Sequence, residues 1–150
     1  MDFAVAARPE ITLCLRHKFE APREKVFAAW TNPEALKRWW CPPGWYPLNI
    51  EIDLKEGGLY RFSMQRESGA QVITAHGVFL KVTVPSQLVY TWKWDGAFPD
   101  MPETCVTIEF HAIAGETELE LRQGDLSMGV CAKHLSGWMD AFDRLSAEIG

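Results

Sequence analysis

The chain has 150 residues, 47% of them hydrophobic and 23% charged, with a formal net charge of −5. That length suits a single domain spanning residues 1–150 with one sizeable core, because roughly 68–70% of the unfolded surface can be buried at this size. No basic run is present, which argues against a phosphate-tracking nucleic-acid surface. No apolar stretch approaches the roughly 18 residues of a membrane span, and the opening MDFAVAARPEITLCL lacks the basic and apolar regions of a signal peptide.

Residues 1–9 read as a loose arm. From Glu10 to Glu20 an alternation of Ile11, Leu13 and Leu15 with Thr12, Cys14 and Arg16 predicts a strand. In APREKVFAAWTNPEALKRWW, Pro22 and Glu24 suit a helix's first turn, and Val26, Phe27 and Trp30 share one face. Asn32 is an N-cap with Pro33 at N1, so a second short helix follows, carrying Leu36, Trp39 and Trp40 and closed by CPPG.

Strand signals then take over. Leu48, Ile50, Ile52 and Leu54 alternate with polar residues; after the KEGG turn so do Tyr60, Phe62 and Met64. Residues 71–84 form a long strand interrupted at Gly77, where a bulge is expected. Leu88, Tyr90, Trp92 and Trp94 share a face, a looser DGAFPDMPE segment follows, and two more strands centre on Val106–Phe110 and Thr117–Leu121. From Met128 to Ile149 the apolar positions Cys131, Leu135, Trp138, Phe142, Leu145 and Ile149 step by 4, 3, 4, 3 and 4, a helix with one apolar stripe; Lys133, Asp140, Asp143, Arg144 and Glu148 fall largely off it. The order implies an α+β fold: a curved antiparallel sheet of six to seven strands, two short helices, and a long C-terminal helix across the concave face. A hollow remains if helix and sheet do not close completely.

The segments FEAPREKVFAAWTNPEALKRWW, IDLKEGGLYRF, GVFLKVTVPSQLVYTW and HLSGWMDAFDRLSAEI resemble the SRPBCC (START-like) superfamily, in particular its branch named after the activator of a heat-shock chaperone's ATPase. The resemblance runs from about Thr12 to Ile149. It implies the helix-grip fold and a cavity between helix and sheet that, in relatives, often receives an apolar small molecule. The family also includes chaperone co-factors and a minority of enzymes, and fold alone does not choose among them. In the eukaryotic activators the similar domain follows a separate chaperone-binding domain; here about ten residues precede it.

The cavity wall is expected to draw on Trp30, Trp40, Trp45, Tyr60, Phe62, Met64, His76, Trp92, Trp94, Phe110, Cys131, His134, Leu135, Trp138 and Phe142. Large rings pack imperfectly, so these side chains either wall a pocket or fill a core. Trp39 and Trp40 read as a plug at the sheet's open end, with Trp45 and Tyr46 as a flexible rim. His17, His76, His111 and His134 show no ligand spacing, so no metal and no cofactor is expected; His76 and His134 are the two that could reach the interior, as polar handle or general base. Tyr60 is a third polar handle. Glu51, Asp53, Arg61, Glu109, Glu118, Glu120 and Arg122 read as a solvated outer sheet face. Cys14, Cys41, Cys105 and Cys131 form no CxxC pair and read as reduced thiols of a cytoplasmic protein.

The favoured expectation is a cytoplasmic binder of a small apolar or aromatic molecule, with no nucleic acid or membrane as partner and no catalytic residue assigned. A chaperone or stress accessory protein, acting through apolar surface around Trp45 and Phe98, is the second reading. A cavity-based cyclase or hydrolase is the third. The aromatic loop 94–102 also allows a homodimer.

Overall fold

A computed structural model of the chain describes residues 11–149; the expected N-terminal arm and the start of the first strand at Glu10 lie outside the described residues. The elements in chain order are β1 (Ile11–Phe19), α1 (Arg23–Thr31), α2 (Pro33–Trp39), β2 (Trp45–Ile52), β3 (Leu59–Arg66), β4 (Val72–Thr83), β5 (Gln87–Asp95), β6 (Thr104–Ile113), β7 (Glu116–Leu126) and α3 (Met128–Ile149). The seven strands form one curved antiparallel sheet in the order β1-β7-β6-β5-β4-β3-β2. Successive strands from β2 to β7 pair as neighbours, across short turns except for the longer segment 96–103 between β5 and β6. The tandem helices separate β1 from that meander, and β1 returns to pair with β7, from Ile11↔Leu126 to Phe19↔Thr117. This is the helix-grip fold.

Local chemistry explains the helix boundaries. Asn32 ends α1 and begins α2: its backbone N–H donates to Ala28 O, and its side chain accepts from Glu34 N at 2.9 Å. Pro33 follows at N1, where it has no intrahelical N–H to lose. The outer sheet face is polar as expected: Arg122 bonds Glu109 at 3.1 Å and Glu120 at 2.8 Å, and Arg16 reaches Glu120 at 3.0 Å.

Two details depart from the sequence reading. The rim at Trp45 and Tyr46 is not a loose loop; both residues open β2, opposite Arg66 and Gln65. Gly77 does mark a gap in the ladder, since pairing skips from His76↔Lys93 to Phe79↔Tyr90, but no residue is gained there. The extra residue falls at Leu80, between Phe79↔Tyr90 and Lys81↔Val89. Glycine is required at 77 for closeness: a Cβ would stand 2.0 Å from the Thr91 carbonyl oxygen.

The inner face divides into a filled half and an open half. In the filled half Phe110 meets Phe27 and Trp30 at 5.2 and 6.3 Å between ring centroids, and Phe142 meets Phe19 and Trp30 at 6.0 and 5.7 Å. The gap left among Trp30, Tyr60, Phe62, Phe79 and Tyr90 is about 10 Å³, at the lower limit for a single water of roughly 10–15 Å³.

Replacing Gly77 by alanine forces β4 and β5 apart at Thr91. The expected cost is about 1–3 kcal/mol, the usual range for overpacking, read as a lower urea midpoint at unchanged slope.

Candidate functional site

α3 is held over the sheet by polar bonds inside an apolar interior. Trp138 Nε1 donates to Gln123 Oε1 at 3.0 Å, and Gln123 Nε2 donates to Thr104 Oγ1 at 3.0 Å. Gln123 is fully buried, so these bonds satisfy an amide that could not be left unpaired there. Trp138 stacks on Trp30 at 6.0 Å and tilts against Trp92 at 5.4 Å, marking the border between the filled and open halves.

Both residues of the tandem pair are buried, Trp39 to 1% and Trp40 to 8% exposure, because the helix ends between them. Trp39 turns back to α1, 4.9 Å from Trp30, and its Nε1 donates to Ala29 O at 3.0 Å. Trp40 turns the other way, towards Phe62 at 5.3 Å and Trp94 at 6.4 Å. Their carbonyls, open at a helix C-terminus, accept from Arg144 of α3: Nε to Trp39 O at 2.8 Å and a terminal nitrogen to Trp40 O at 3.2 Å.

Beyond Trp138 the interior opens into a cavity of about 290 Å³, walled by Trp40, Pro42, Trp45, Met64, Ile73, Trp92, Trp94, Phe98, Gly137, Trp138 and Ala141, with Lys133, His134, Asp140 and Arg144 along α3. Of the expected wall, seven residues lie here: Trp40, Trp45, Met64, Trp92, Trp94, His134 and Trp138. Trp30, Tyr60 and Phe62 border the small gap in the filled half instead, and Phe110 and Phe142 are packed among rings. Cys131 and Leu135 pack half-buried against the core but do not border the cavity.

His76 is placed on the other side of the sheet. Its strand neighbour Ala75 is fully buried on the inner face, so His76 points outward, with Nε2 3.2 Å from Asp95 Oδ2 but out of line for a hydrogen bond. Tyr60 is no free handle either: its hydroxyl donates to Thr91 O, and burial raises its pKa well above the ordinary phenol value.

Four of the lining residues that the sequence reading missed follow one rule. Lys133, Gly137, Asp140 and Arg144 repeat the 4, 3, 4 spacing of the apolar stripe on the neighbouring helical row. Lys133, Asp140 and Arg144 read as facing water because they are charged and lie off the apolar stripe, yet with Gly137 they border the cavity. Phe98, expected on an exposed apolar surface with Trp45, stands on the wall beside it, 4.8 Å from His134.

His134 has a determinate tautomer. Val130 O can only accept, so Nδ1 carries the proton at 2.9 Å; Trp94 Nε1 can only donate, so Nε2 accepts it at 2.9 Å. The ring is neutral and both nitrogens are engaged. Burial holds its pKa below the ordinary 6.5, against a smaller upward pull from Val130. While the Trp94 bond stands, His134 has no lone pair for a substrate proton. Burial of Cys41 likewise pushes its thiol up to about 11, despite nearby Arg144, which leaves little thiolate near neutrality. Among the described residues no three His, Cys, Asp or Glu side chains converge as a metal-ligand set. None of the described helices is long and apolar enough to cross a membrane.

Residues 20–150 match the family described as "Activator of Hsp90 ATPase homolog 1-like protein", and the chain belongs to that family. Solved structures repeat the fold. A Chromobacterium violaceum protein is 24% identical with a TM-score of 0.83, over 92% of this chain and 96% of its own. A Nitrosomonas europaea protein is 25% identical with a TM-score of 0.76, over 91% and 92%. The AHSA1 protein of Silicibacter pomeroyi is 24% identical with a TM-score of 0.79, over 92% and 96%. No curated protein sequence matches the chain.

The neutral His134 makes stability depend on pH in one direction. Above pH 6.5 the ring is neutral in both states and the fold is unaffected; below it the unfolded chain takes a proton that the folded chain resists, so stability falls until the depressed folded pKa is reached. His17, also held low by burial against the attraction of Asp143, adds the same sign. His134→Gln keeps an acceptor for Trp94 but does not titrate. Its urea midpoint is expected to fall less than the wild type's between roughly pH 7.5 and 5.

Proposed function

We propose that this protein binds a small apolar or aromatic molecule in the cavity between the sheet and α3. The observation that carries the reading is a hollow of about 290 Å³ in an otherwise close-packed interior, walled by indole, phenyl, thioether and aliphatic groups. Ligand sites commonly run from roughly 300 to 1,000 Å³, so this one suits a guest of one or two fused rings. Membership of the family supports a general role in binding hydrophobic molecules. Burial supplies the driving force, at roughly 0.8 kcal/mol for each CH2 removed from water. The four cysteines are free thiols, which favours a reducing compartment such as the cytoplasm.

Gly137 gives this reading a test whose sign is unusual. It sits within α3 on the cavity wall, and a Cβ there meets nothing within 4 Å. Gly137 is exposed at the cavity mouth, so leucine there is expected to narrow the entrance, while replacing a helical glycine stabilises by roughly 0.5–1 kcal/mol. The neutral dye N-phenyl-1-naphthylamine is expected to bind the wild type saturably, one to one, with enhanced fluorescence. Gly137→Leu should raise the unfolding midpoint and abolish that binding; Gly137→Ala should raise the midpoint and keep it. Absence of saturable uptake by the wild type, or unchanged uptake by Gly137→Leu, refutes the cavity as a binding site.

A further inference from the structure

Trp39, Trp94 and Trp138 each donate an indole N–H to one acceptor, and one of those acceptors differs in kind. Trp39 uses the Ala29 carbonyl at 3.0 Å and Trp138 the Gln123 amide at 3.0 Å; neither acceptor changes with pH. Trp94 uses His134 Nε2 at 2.9 Å, an acceptor that a proton converts into a donor. Both partners of that bond stand on the cavity wall. With the bond in place Trp94 lies near parallel to Trp40, 6.4 Å away, and at 88° to Trp92. Phe98 rests against the pair, 4.8 Å from the imidazole and 6.0 Å from the Trp94 indole. Two rings of the wall thus lean on one titratable group.

We propose that the cavity releases its guest on acidification, with His134 as the trigger: protonation breaks the bond to Trp94 and loosens the wall. The inference rests on the cavity being a binding site, as argued above, and adds the regulation of that site. The charged ring does not escape by turning over. Nδ1 still donates to Val130 O on the same helix, so the new Nε2–H faces the Trp94 N–H and two donors meet. Trp94 is only half-buried, so a displaced indole gives its N–H to water instead. No carboxylate among the described residues is placed to hold the charged ring. On α3, Lys133 stands over Phe98, Arg144 is bonded to the carbonyls of Trp39 and Trp40, and Asp140 lies six residues further on at the exposed rim. On β5, Lys93 and Asp95 flank Trp94 and alternate to the outer face, where Asp95 sits 3.2 Å from His76. In the segment 96–103, Asp100 and Glu103 are exposed and do not border the cavity; β3 and β4 bring Met64 and Ile73. Burial therefore acts on His134 with only Val130 O against it, and the ring takes up its proton below pH 6.5. By linkage, a guest that needs the Trp94 bond resists that proton and moves the ring's titration to still lower pH.

The test follows the affinity of the neutral dye N-phenyl-1-naphthylamine from about pH 7.5 to 5, over the range in which circular dichroism shows the protein folded. The wild type's affinity is expected to fall roughly two- to tenfold, the scale of one net hydrogen bond, and to recover on return to neutral pH. His134→Gln, read against its own affinity at neutral pH, is expected to hold within about twofold because its amide does not titrate. No fall in the wild type, or an equal fall in His134→Gln, overturns the inference and leaves the cavity reading standing. If the dye does not bind the wild type at neutral pH, the cavity reading fails and this inference with it. A second measurement needs no variant: NMR titration of the His134 ring in wild-type protein, free and saturated with dye. Its midpoint is expected at lower pH with dye bound, and coincident midpoints overturn the inference even if His134→Gln does not fold.

Discussion

A helix laid over a curved sheet can settle until its side chains fill the gap, or be stopped short of it. Here the stop is the bond from Trp138 Nε1 to Gln123 Oε1, with the amide anchored in turn to Thr104. A fully buried glutamine must have its partners, so the indole cannot slide deeper or rotate away without leaving polar atoms unpaired. Stacking on Trp30 fixes the other face of the same ring. One side chain thus sets the height of α3, seals the filled half, and walls the open half with the face left over. Arg144, two helical turns along, ties α3 to the end of α2 and keeps Trp40 turned towards the hollow.

The polar groups around the hollow are mostly closed to new chemistry. His134 is neutral and doubly bonded, Arg144 is engaged with two carbonyls, and the Tyr60 hydroxyl is bonded to the backbone of β5. These bonds hold the wall in shape, whereas a histidine, an arginine and an aspartate side by side in a cleft describe a binding site and an active site equally.

The element order and the helix-grip architecture were legible because alternation of period two and the 4, 3, 4 stripe of α3 are strong signals over long segments. The division of the interior was not. Tyr60, Phe62, Phe110 and Phe142 have the same inward register as Trp92 and Trp138, and nothing in periodicity says which end of a sheet its helices will cover. Phe110 and Phe142 lie among the rings around α1, whereas Trp92 and Trp94 lie beyond α1, against Trp138 of α3 and Trp40 at the end of α2. His76 was misplaced through its strand's interruption at Gly77, which blurred the alternation around it. Lys133, Asp140 and Arg144 were hidden by their charge: a long side chain can bound an apolar cavity with its stem while its head stays in water.

Two local departures from an optimised fold remain, and they coincide. A glycine inside a 22-residue helix weakens that helix, and a buried indole N–H without an acceptor is a loss that Trp39 and Trp138 avoid. Either could be removed by ordinary substitutions, a larger residue at 137 or a phenylalanine at 92. Both border the same cavity, one on the helix and one on the sheet facing it. They differ in what they offer: Gly137 leaves open space beside the helix, whereas the Trp92 nitrogen is closed to any group the size of water and marks tight packing behind the wall, so only the first bears on the room in the hollow.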